Sequence, residues 1–298
     1  MATARSTYAT MRSILEVPIL NDKFWSKVPE VPADAIMIDL EDSATPANKE
    51  AVRARIMESL ASPDYFGGRR IIVRVNNLAT PWGAEDLRAL ASAPGDFLVC
   101  YPKVETAGEV AEVYSRLGAD GAVHGLHVMI ETARAMIELD EIANADGVAG
   151  LHFGYVDYAA DIGSRPFAES GDELFPPANY YAQTKIAVAA AAYGLFATGG
   201  SMVPEYRNLE KVRTFVARWA ELGYTACIAV SPNHLGIINE LMSPSAEEVS
   251  AARDLCAAYE SAMDSGEPAA VLNNKVITMP DYRLAALTLN RAGITTGS

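Results

Sequence analysis

The chain has 298 residues and half of them are hydrophobic, which is enough for one large α/β domain with a packed core and a short appendage. Its 24 basic and 38 acidic residues give a formal net charge of −14, the opposite of the basic surface that binding to a phosphate backbone requires. The composition therefore argues against a nucleic-acid partner, and an anionic substrate must be held by a few local Arg and Lys side chains or by a metal.

Targeting and redox signals are also missing from the sequence. The N-terminus lacks the basic start and long apolar core of a secretory signal, and no apolar run reaches the roughly 20 residues needed to span a bilayer. Cys100, Cys227 and Cys256 are widely spaced, match no zinc-binding pattern and leave one unpaired in any disulfide scheme. These features predict a cytoplasmic protein that does not bind a membrane.

Eight short β-rich runs alternate with longer amphipathic segments, which is the pattern of parallel βαβ units. In chain order the runs are RSILEV, AIMIDL, IIVRVN, FLVCYPK, HVMIE, GVAGLHFG, GLFATGG and ACIAVSP. The alternation fits both a barrel and an open doubly wound sheet, but the count of eight, with polar residues at the ends of most runs, favours a (β/α)8 TIM barrel. We predict that this barrel occupies residues 1–242.

The segments between the runs predict helices. One begins at Thr80, another covers 180–194, and a third begins near Ser245 and ends near Gly266. The remaining residues predict a short extended piece and a last helix. Residues 243–298 are therefore predicted to form a C-terminal helical extension that acts as a lid or contacts a neighbouring subunit.

Polar side chains follow the ends of most runs, where the active site of a (β/α)8 barrel forms. They are Asp39, Glu41, Asp42, Arg74, Asn76, Lys103, Glu131, Asp157, Ser231 and Asn233. Glu131 and Asp157 follow successive runs and suit one hard cation such as Mg²⁺, which takes carboxylate oxygens and keeps positions open for water or substrate. The chain is therefore predicted to be a metal-dependent enzyme that acts on oxygen-rich acids.

Each of these residues also has a purely structural explanation. The carboxylates after the second run can cap the next helix, Arg74 and Lys103 can be structural ion-pair partners, and Glu131 can serve a helix N-terminus. Several charges that converge at one barrel mouth are nevertheless costly without mutual pairing or a metal, so some of them should be ligands or their supporting partners.

The histidines have weaker claims. His124 and His127 precede the fifth run and are assigned surface or structural roles, and His152 lies within the sixth run as a barrel-interior residue. His234, after the eighth run, is the one histidine kept as a possible acid or base. In the DYAADIG turn, where Asp157 is the predicted ligand, Asp161 is interpreted as a cap or an ion-pair partner.

Seven blocks, in chain order, carry a resemblance to a known family. They are RSILEVP, IDLEDSATPANKEAVR, VRVNNLATPWGAEDL, YPKVET, MIETARAM, FGYVDYAADIG and GYTACIAVSPNHLGIIN. Together they resemble the citrate lyase β-subunit-like branch of the HpcH/HpaI aldolase family, which includes malyl-CoA and citramalyl-CoA lyases. The resemblance covers nearly the whole chain and is specific at the level of the family.

The resemblance implies a TIM barrel with a C-terminal extension that assembles into homotrimers or homohexamers. It also implies Mg²⁺ held by Glu131 and Asp157, with Arg74 bound to the carboxylate or the developing enolate oxygen of the substrate. Glu41 and Asp42 would then support metal-bound water and the hydrogen bonds of the site.

A coenzyme A thioester is the substrate form that the resemblance suggests. Lys23 and Lys27, after strand one, would approach the phosphates of coenzyme A. From their positions at strand ends, Lys103 and Ser231 are predicted to contact the substrate as well.

The sequence departs from the family at three blocks. A KMID-like block near the C-terminus, whose Asp reaches a neighbouring active site as acid or base, reads KVIT and ends in Thr278, which cannot carry a proton near neutral pH. Ile19 stands where the first loop of the family usually has Gly, and Cys227 and Ser231 replace Lys and His in a later block. These departures bear on coenzyme A binding and proton transfer more than on the metal.

The leading hypothesis is a Mg²⁺-dependent carbon–carbon lyase that cleaves or forms a small hydroxy acid or its coenzyme A thioester through a stabilised enolate. Within enzymes, the alternatives are an aldolase acting on a free 2-oxo acid such as pyruvate or oxaloacetate, and a thioester hydrolase. Outside enzymes, the alternative is a non-catalytic barrel subunit that binds a metal and a carboxylate. Loss of the C-terminal Asp favours this last alternative, whereas Glu131, Asp157 and Arg74 argue against it.

Overall fold

The computed structural model describes residues 4–118, 125–267 and 269–294, and its centre is a closed barrel of eight parallel strands. Each strand pairs with the next along the chain, and the first also pairs with the eighth. The strands are β1 (Ser13–Val17), β2 (Ala35–Asp39), β3 (Arg70–Arg74), β4 (Phe97–Tyr101), β5 (Leu126–Ile130), β6 (Val148–Phe153), β7 (Phe196–Gly200) and β8 (Ala226–Ala229). The predicted (β/α)8 TIM barrel is therefore confirmed.

The barrel strands are buried on both faces, because helices cover the outside and side chains fill the inside. Every residue of β2, β4 and β5 is buried. Inward-facing side chains from different strands form one apolar cluster, which includes Met37, Ile72, Cys100, Met129 and Phe196. The barrel is therefore filled rather than hollow, and a ligand has access to it only at its ends.

Helices connect the strands and cover the barrel. They are α1 (Ala4–Thr7), α2 (Asp22–Trp25), α3 (Lys49–Leu60), α4 (Gly83–Ala91), α5 (Ala107–Leu117), α6 (Ala133–Ile137), α7 (Leu139–Ala143), α8 (Tyr155–Asp161), α9 (Pro177–Ala192), α10 (Leu209–Glu221), α11 (Leu235–Leu241), α12 (Ala246–Asp264) and α13 (Met279–Arg291). Short 3₁₀ turns cover Val28–Glu30, Pro46–Asn48, Pro63–Phe66 and Pro232–His234. Among the described helices, none combines the length and the apolar character that crossing a bilayer requires.

Local hydrogen bonds set the helix boundaries. The helix predicted from Thr80 begins later, at Gly83, because the Thr80 hydroxyl donates to the Asn77 carbonyl at 2.7 Å and closes the preceding turn. The helix α12 begins as predicted, since Ser245 and Glu248 form a reciprocal capping box.

Beyond residue 242 the chain forms α12, α13 and a two-stranded antiparallel hairpin between them. The hairpin pairs β9 (Ala270–Leu272) with β10 (Lys275–Ile277), and Asn273 and Asn274 turn the chain with φ angles of 47° and 59°. The sequence predicted only a short extended piece here. The two helices pack on each other through a small buried cluster separate from the barrel core, while the boundary at 242 and the role as lid or subunit contact remain predictions.

A bidentate ion pair ties the entry of β1 to the entry of β2, at the amino ends of the strands. The Arg12 guanidinium donates to both Asp34 oxygens, each at 2.8 Å, and the Arg12 backbone N–H donates to the same carboxylate at 2.8 Å. Burial alone would raise the pKa of Asp34, but these hydrogen bonds outweigh it and hold the pKa below its ordinary value.

We expect Asp34→Asn to lower the free energy of unfolding near neutral pH by about 1 to 2 kcal/mol, a range reduced for the partial exposure of both side chains. Because the folded-state pKa is depressed, the carboxylate stabilises the fold above its unfolded-state pKa of about 3.9, and this stabilisation is lost as the pH falls through the folded-state value. Urea denaturation across pH measures the effect, and the gap between wild type and variant should close in acid. A gap that stays constant with pH, or an equal loss in the exposed control Asp254→Asn, would contradict the assignment.

Candidate active site

A cavity of about 350 Å³ opens at the carboxyl ends of the barrel strands. The residues predicted from strand ends that line it together are Glu41, Asp42, Arg74, Lys103, Glu131 and Asp157. Glu16 from β1 and His152 from β6 line it as well. A cavity of about 550 Å³ at the opposite end of the barrel, around Asp34 and Asp96, contains none of the predicted site residues. The predicted charges therefore meet at the end where this fold forms its sites.

The Arg74 guanidinium is the centre of the charged network. Its Nε donates to Asp39 Oδ1 at 2.7 Å and its Nη2 donates to Glu16 Oε1 at 3.0 Å, while Nη1 lies 3.5 Å from Glu41 Oε2. Asp39 and Arg74 are register partners at the last residues of β2 and β3. Burial alone would lower the pKa of Arg74, but the Asp39 hydrogen bond and the nearby carboxylates outweigh it and hold the pKa above its ordinary value.

Asp39 is fully buried and holds the loop that follows β2. Besides Arg74, it accepts from the backbone N–H groups of Glu41 at 2.8 Å and Ser43 at 2.7 Å. Desolvation would raise the pKa of Asp39, but Arg74 and the two N–H groups lower it below its ordinary value. The structural explanation of Asp39 thus holds in modified form, because the carboxylate caps the loop rather than a helix.

Glu16, Glu41 and Asp42 surround the same guanidinium. Burial raises the pKa of Glu41 even though its carboxylate pairs with Lys103 Nζ. Burial likewise raises the pKa of Glu16, against the opposing charge of Arg74. Asp42 is exposed, with Oδ2 3.8 Å from Arg74 Nη2. Negative charge is therefore in excess at the barrel mouth.

Lys103 connects the Arg74 network to Glu131. Its φ of 52° lies in the left-handed region, which is uncommon for a residue other than glycine. This conformation directs the Lys103 N–H to Glu131 Oε1 at 2.7 Å while its ammonium pairs with Glu41. Desolvation would lower the pKa of Lys103, but Glu41 raises it above the ordinary value. One residue thus positions two carboxylates of the cavity.

Glu131 is nearly fully buried and lines the same cavity as Asp157. Desolvation, followed by the charge of Asp157, raises the pKa of Glu131 to about 7, although Lys103 opposes this. Gly154 makes room for the carboxylate, because a Cβ at that position would fall 2.3 Å from Glu131 Oε2. Asp157 itself is exposed in the first turn of α8.

The donor set of this carboxylate pair fits a hard divalent cation. Two like charges lie close enough for Asp157 to raise the pKa of Glu131, and a cation between them would offset that repulsion. Within the residues that the structure describes, no group of three or more His, Cys, Asp and Glu side chains is arranged to hold a metal. A cation here would therefore complete its coordination with water and substrate oxygens, as Mg²⁺ commonly does.

Another cation, the buried ammonium of Lys49, supports the loop after β2. Its ammonium donates to the carbonyls of Leu40 and Glu41, each at 2.6 Å, and to Asn76 Oδ1 at 2.7 Å. Asn76 in turn donates through Nδ2 to Asp86 at 2.6 Å. Desolvation lowers the pKa of Lys49. Asn76, predicted from the end of β3, therefore supports the site through Lys49 and is not among the residues that line the cavity.

A neighbouring cavity of about 690 Å³ continues from the first, since Glu16, Pro18 and Val230 line both. Lys27 and Arg207 line this second cavity and supply positive charge to it. The two cavities together form a groove that leads from the carboxylates to the outer surface of the barrel mouth.

Besides Lys27, two more of the predicted binding residues lie outside the cavity around Arg74. Ser231 lines the second cavity, where its hydroxyl accepts from the Asn233 N–H at 3.4 Å and caps the 3₁₀ turn after β8. Lys23 is exposed on α2 and lines neither of these two cavities.

The histidines occupy structural positions more often than the sequence predicted. His234 is fully buried with Nδ1 2.8 Å from Ser201 Oγ and Nε2 2.7 Å from the Tyr206 carbonyl, so both ring nitrogens already have protein partners. Burial also lowers the pKa of His234. This geometry does not support a role as acid or base. His127 lies inside β5 rather than before it, and His124 lies outside the described residues.

The positions that depart from the family lie outside the first cavity. Thr278 caps α13, where its N–H and its hydroxyl donate to Asp281, and these bonds lower the pKa of that carboxylate. Ile19 is buried after β1, and Cys227 is a buried free thiol in β8. Asp281 is thus engaged by its own helix start. The cavity around Arg74 is not lined by Thr278, Asp281, Ile19 or Cys227.

Three supporting residues were not predicted from the sequence: Glu16, Lys49 and Asp86. Glu16 gave a signal, since it is a charge inside an otherwise apolar strand, RSILEV. Lys49 and Asp86 gave none, because a charged residue near the start of a helix normally faces water.

The sequence of the chain is similar to those of known proteins. The family model described as HpcH/HpaI aldolase/citrate lyase matches residues 12–232. The chain is 32% identical over 284 residues to a (3S)-malyl-CoA thioesterase of Cereibacter sphaeroides, which covers 94% of each chain. It is 30% identical over 291 residues to the citrate lyase subunit beta of Escherichia coli, which covers 95% of this chain and 93% of that one. The predicted family is confirmed.

Among solved structures, the fold is similar to that of CitE from Mycobacterium tuberculosis in complex with magnesium, acetoacetate and coenzyme A. The TM-score is 0.73 at 24% sequence identity, and the match covers 96% of this chain and 99% of that one. At this identity the likeness establishes the fold.

We expect Lys49→Met to lower the free energy of unfolding by about 2 to 4 kcal/mol, because the Leu40 and Glu41 carbonyls and Asn76 lose their shared donor. Chemical denaturation measures the change. The matched control is Lys275→Met on exposed β10, which should change the free energy by less than about 0.5 kcal/mol. Similar small losses in both variants would mean that Lys49 does not hold the loop.

Proposed function

Because the chain belongs to the HpcH/HpaI aldolase/citrate lyase family, we propose that it is a Mg²⁺-dependent lyase that cleaves or forms the carbon–carbon bond of a small hydroxy acid or of its coenzyme A thioester. The observation that supports this most is the convergence of Glu131, Asp157 and Arg74 on one cavity. The carboxylate pair suits a hard cation, and the guanidinium suits an anionic substrate.

We assign the metal to Glu131 and Asp157. When bound, Mg²⁺ would supply positive charge that orients a 2-oxo acid and favours ionisation of the hydroxyl from which its carbonyl derives. The Lys103 N–H holds one oxygen of Glu131, and Gly154 leaves space beside the other. The hydrogen bond from Lys103 therefore holds the Glu131 carboxylate at the cavity wall.

Arg74 is assigned to the charge that develops on the substrate. Cleavage beside a thioester or carboxylate leaves an enolate, and a fixed cation stabilises that charge where it forms. Asp39 and Glu16 fix the guanidinium through Nε and Nη2, and Nη1 has only the longer pair to Glu41 among the described residues. Nη1 is therefore the atom that we propose donates to the substrate oxygen.

Three further residues of the first cavity receive proposed roles: Glu41, Asp42 and Lys103. Lys103 pairs with Glu41 but stays partly exposed at the cavity wall, so its ammonium can also meet a substrate carboxylate. Burial raises the pKa of Glu41, which favours a proton on its carboxyl group, and Asp42 lies exposed at the rim. We assign both acids to the hydrogen bonds of substrate and water in the cavity.

The second cavity supports a coenzyme A thioester as the substrate form. It continues from the first, and Lys27 and Arg207 provide local positive charge on a protein of net charge −14. Lys23, exposed one turn before Lys27, is assigned to the outer phosphates, and Ser231 to the groove wall. The relative named (3S)-malyl-CoA thioesterase supports the same substrate class.

Thioester hydrolysis is the second candidate function, and the same relative is the observation that favours it. Lyase and hydrolase would use the same cavity but break different bonds, so their products differ. No specific contact favours the aldolase on a free 2-oxo acid or the non-catalytic subunit. Assembly into a homotrimer or homohexamer remains a prediction.

We expect Glu131→Gln and Asp157→Asn each to weaken Mg²⁺-dependent binding of glyoxylate or oxaloacetate by at least about 100-fold, since changes to residues that only support the ligands of a metal already cost about 10- to 100-fold. Isothermal titration calorimetry with and without Mg²⁺ measures the affinity, and circular dichroism checks the fold. The exposed carboxylate Glu169, changed to Gln, is the matched control and should bind as wild type does. Unchanged affinity in both site variants would remove the assigned metal site.

We expect Arg74→Lys to lower kcat/KM by at least about tenfold, because a point charge does not reproduce a planar guanidinium held by two carboxylates. The matched control is Arg12→Lys, which breaks a bidentate pair at the opposite end of the barrel and should affect stability but not kcat/KM. A rate for Arg74→Lys within about threefold of wild type, a barrier change below about 1 kcal/mol, would make Arg74 a structural residue.

A further inference from the structure

The floor of the active-site cavity contains an imidazole that the proposed chemistry does not use. Met37, Met129 and Ile228 from the barrel interior form the apolar part of this floor, and His152 from β6 lies among them. His152 is only 6% exposed. A polar group in this position serves either the barrel core below it or a ligand above it.

Below His152 lies a buried hydrogen-bonded chain. The Thr198 hydroxyl is 2.9 Å from His152 Nδ1 and 2.8 Å from His127 Nε2, and Thr198 and His127 are both fully buried. A hydroxyl has one proton and two lone pairs, and the hydrogen-bond partners of Thr198 Oγ1 among the described residues are these two imidazoles, so it donates to one and accepts from the other. The tautomers of the two histidines are therefore linked through Thr198.

The surroundings of His127, at the far end of these hydrogen bonds, decide which group donates in each of them. Within the described residues His127 Nδ1 is buried and has no hydrogen-bond partner, and the ring packs 5.0 Å from the centre of Phe196. A proton on Nδ1 would leave an N–H donor unsatisfied in apolar surroundings, and buried N–H groups without a partner are the rarest class of unsatisfied group. The proton of His127 is therefore on Nε2, and Nε2–H donates to Thr198.

The direction of these hydrogen bonds also decides which nitrogen of His152 carries its proton. Thr198 accepts from His127, so its own proton is donated to His152 Nδ1, and His152 must carry its proton on Nε2. Both imidazoles are neutral, because burial lowers the pKa of His127 to about 3 and burial, as the largest cause, also lowers the pKa of His152 well below its ordinary value.

We propose that His152 presents its Nε2–H to the cavity as a neutral hydrogen-bond donor, and that this donor selects substrates with a hydroxyl or carbonyl oxygen at the cavity floor. Thr198 and His127 are positioning residues that fix the tautomer. The substrate half of this inference rests on the proposed function. The donor adds a directed hydrogen bond without adding charge, in a cavity where Arg74 already supplies the cation.

The tautomer is measured without metal or substrate by ¹⁵N NMR of the protein labelled at its four histidines, with His152→Gln used to assign the His152 signals. We expect His152 to be protonated at Nε2 and unprotonated at Nδ1 across neutral pH. Thr198→Val should change the Nδ1 shift, and Thr198→Ser should restore it. A proton on His152 Nδ1 in the wild type, or ring shifts that are the same in Thr198→Val and wild type, would overturn the inference.

The substrate half is measured by calorimetry with Mg²⁺ and glyoxylate. His152→Leu should bind about tenfold more weakly than wild type, which corresponds to about 1.4 kcal/mol, and His152→Gln, which keeps a neutral donor near the Nε2 position, should recover to within about threefold. Equal affinity in wild type and His152→Leu would overturn this half while leaving the proposed function intact. A wild-type protein that binds no 2-oxo acid would overturn the proposed function and the substrate half together, with the tautomer decided by NMR.

Discussion

Asp39 and Arg74 meet at the last residues of neighbouring strands, with both side chains almost completely removed from water. A charge in such a place is stable only when it is paired and its remaining polar atoms are satisfied. The pair meets that condition by recruiting the N–H groups of Glu41 and Ser43 and the carboxylate of Glu16. The shape of the loop after β2 is therefore a consequence of the ion pair, and the position of Glu41 in the cavity follows from it.

Glu41 also connects the Asp39–Arg74 ion pair to the other side of the barrel mouth. Glu41 pairs with the Lys103 ammonium, and the strained backbone of Lys103 holds Glu131. Glu131 lines the same cavity as Asp157, and burial, together with the charge of Asp157, raises the pKa of Glu131. A single connected network thus joins the guanidinium proposed for the substrate to the carboxylates proposed for the metal, while the tier beneath it, from His152 to His127, is neutral.

Much of this arrangement could be predicted from the sequence because it follows from periodicity. The carboxyl ends of the strands meet at one face of the barrel, where the site of this fold forms. Residues that follow those ends, such as Arg74, Glu131 and Asp157, therefore come together whatever their separation along the chain. The same logic placed Asn76 at the mouth, although it supports Lys49 and does not line the cavity.

The remaining contacts could not be predicted, because they depend on side chains that meet only in the folded barrel. The alternation of runs and longer segments predicts helices between the strands, but not that the first residue of α3, Lys49, reaches back to the carbonyls of Leu40 and Glu41. It likewise gives no sign that Thr198 stands between two histidines from other strands. His234 is the opposite case. Its position after a strand suggested an acid or base, but its burial and its two hydrogen bonds indicate a structural role.

If this barrel breaks a carbon–carbon bond beside a thioester, as we propose, the products of one reaction reveal it most directly. Wild-type protein is incubated with Mg²⁺ and (3S)-malyl-CoA, and the products are separated by chromatography and identified by mass spectrometry. Cleavage of the carbon–carbon bond predicts acetyl-CoA and glyoxylate in equal amounts, with neither formed when a chelator removes the metal. Formation of malate and free coenzyme A without glyoxylate would contradict the lyase and establish the hydrolase in its place.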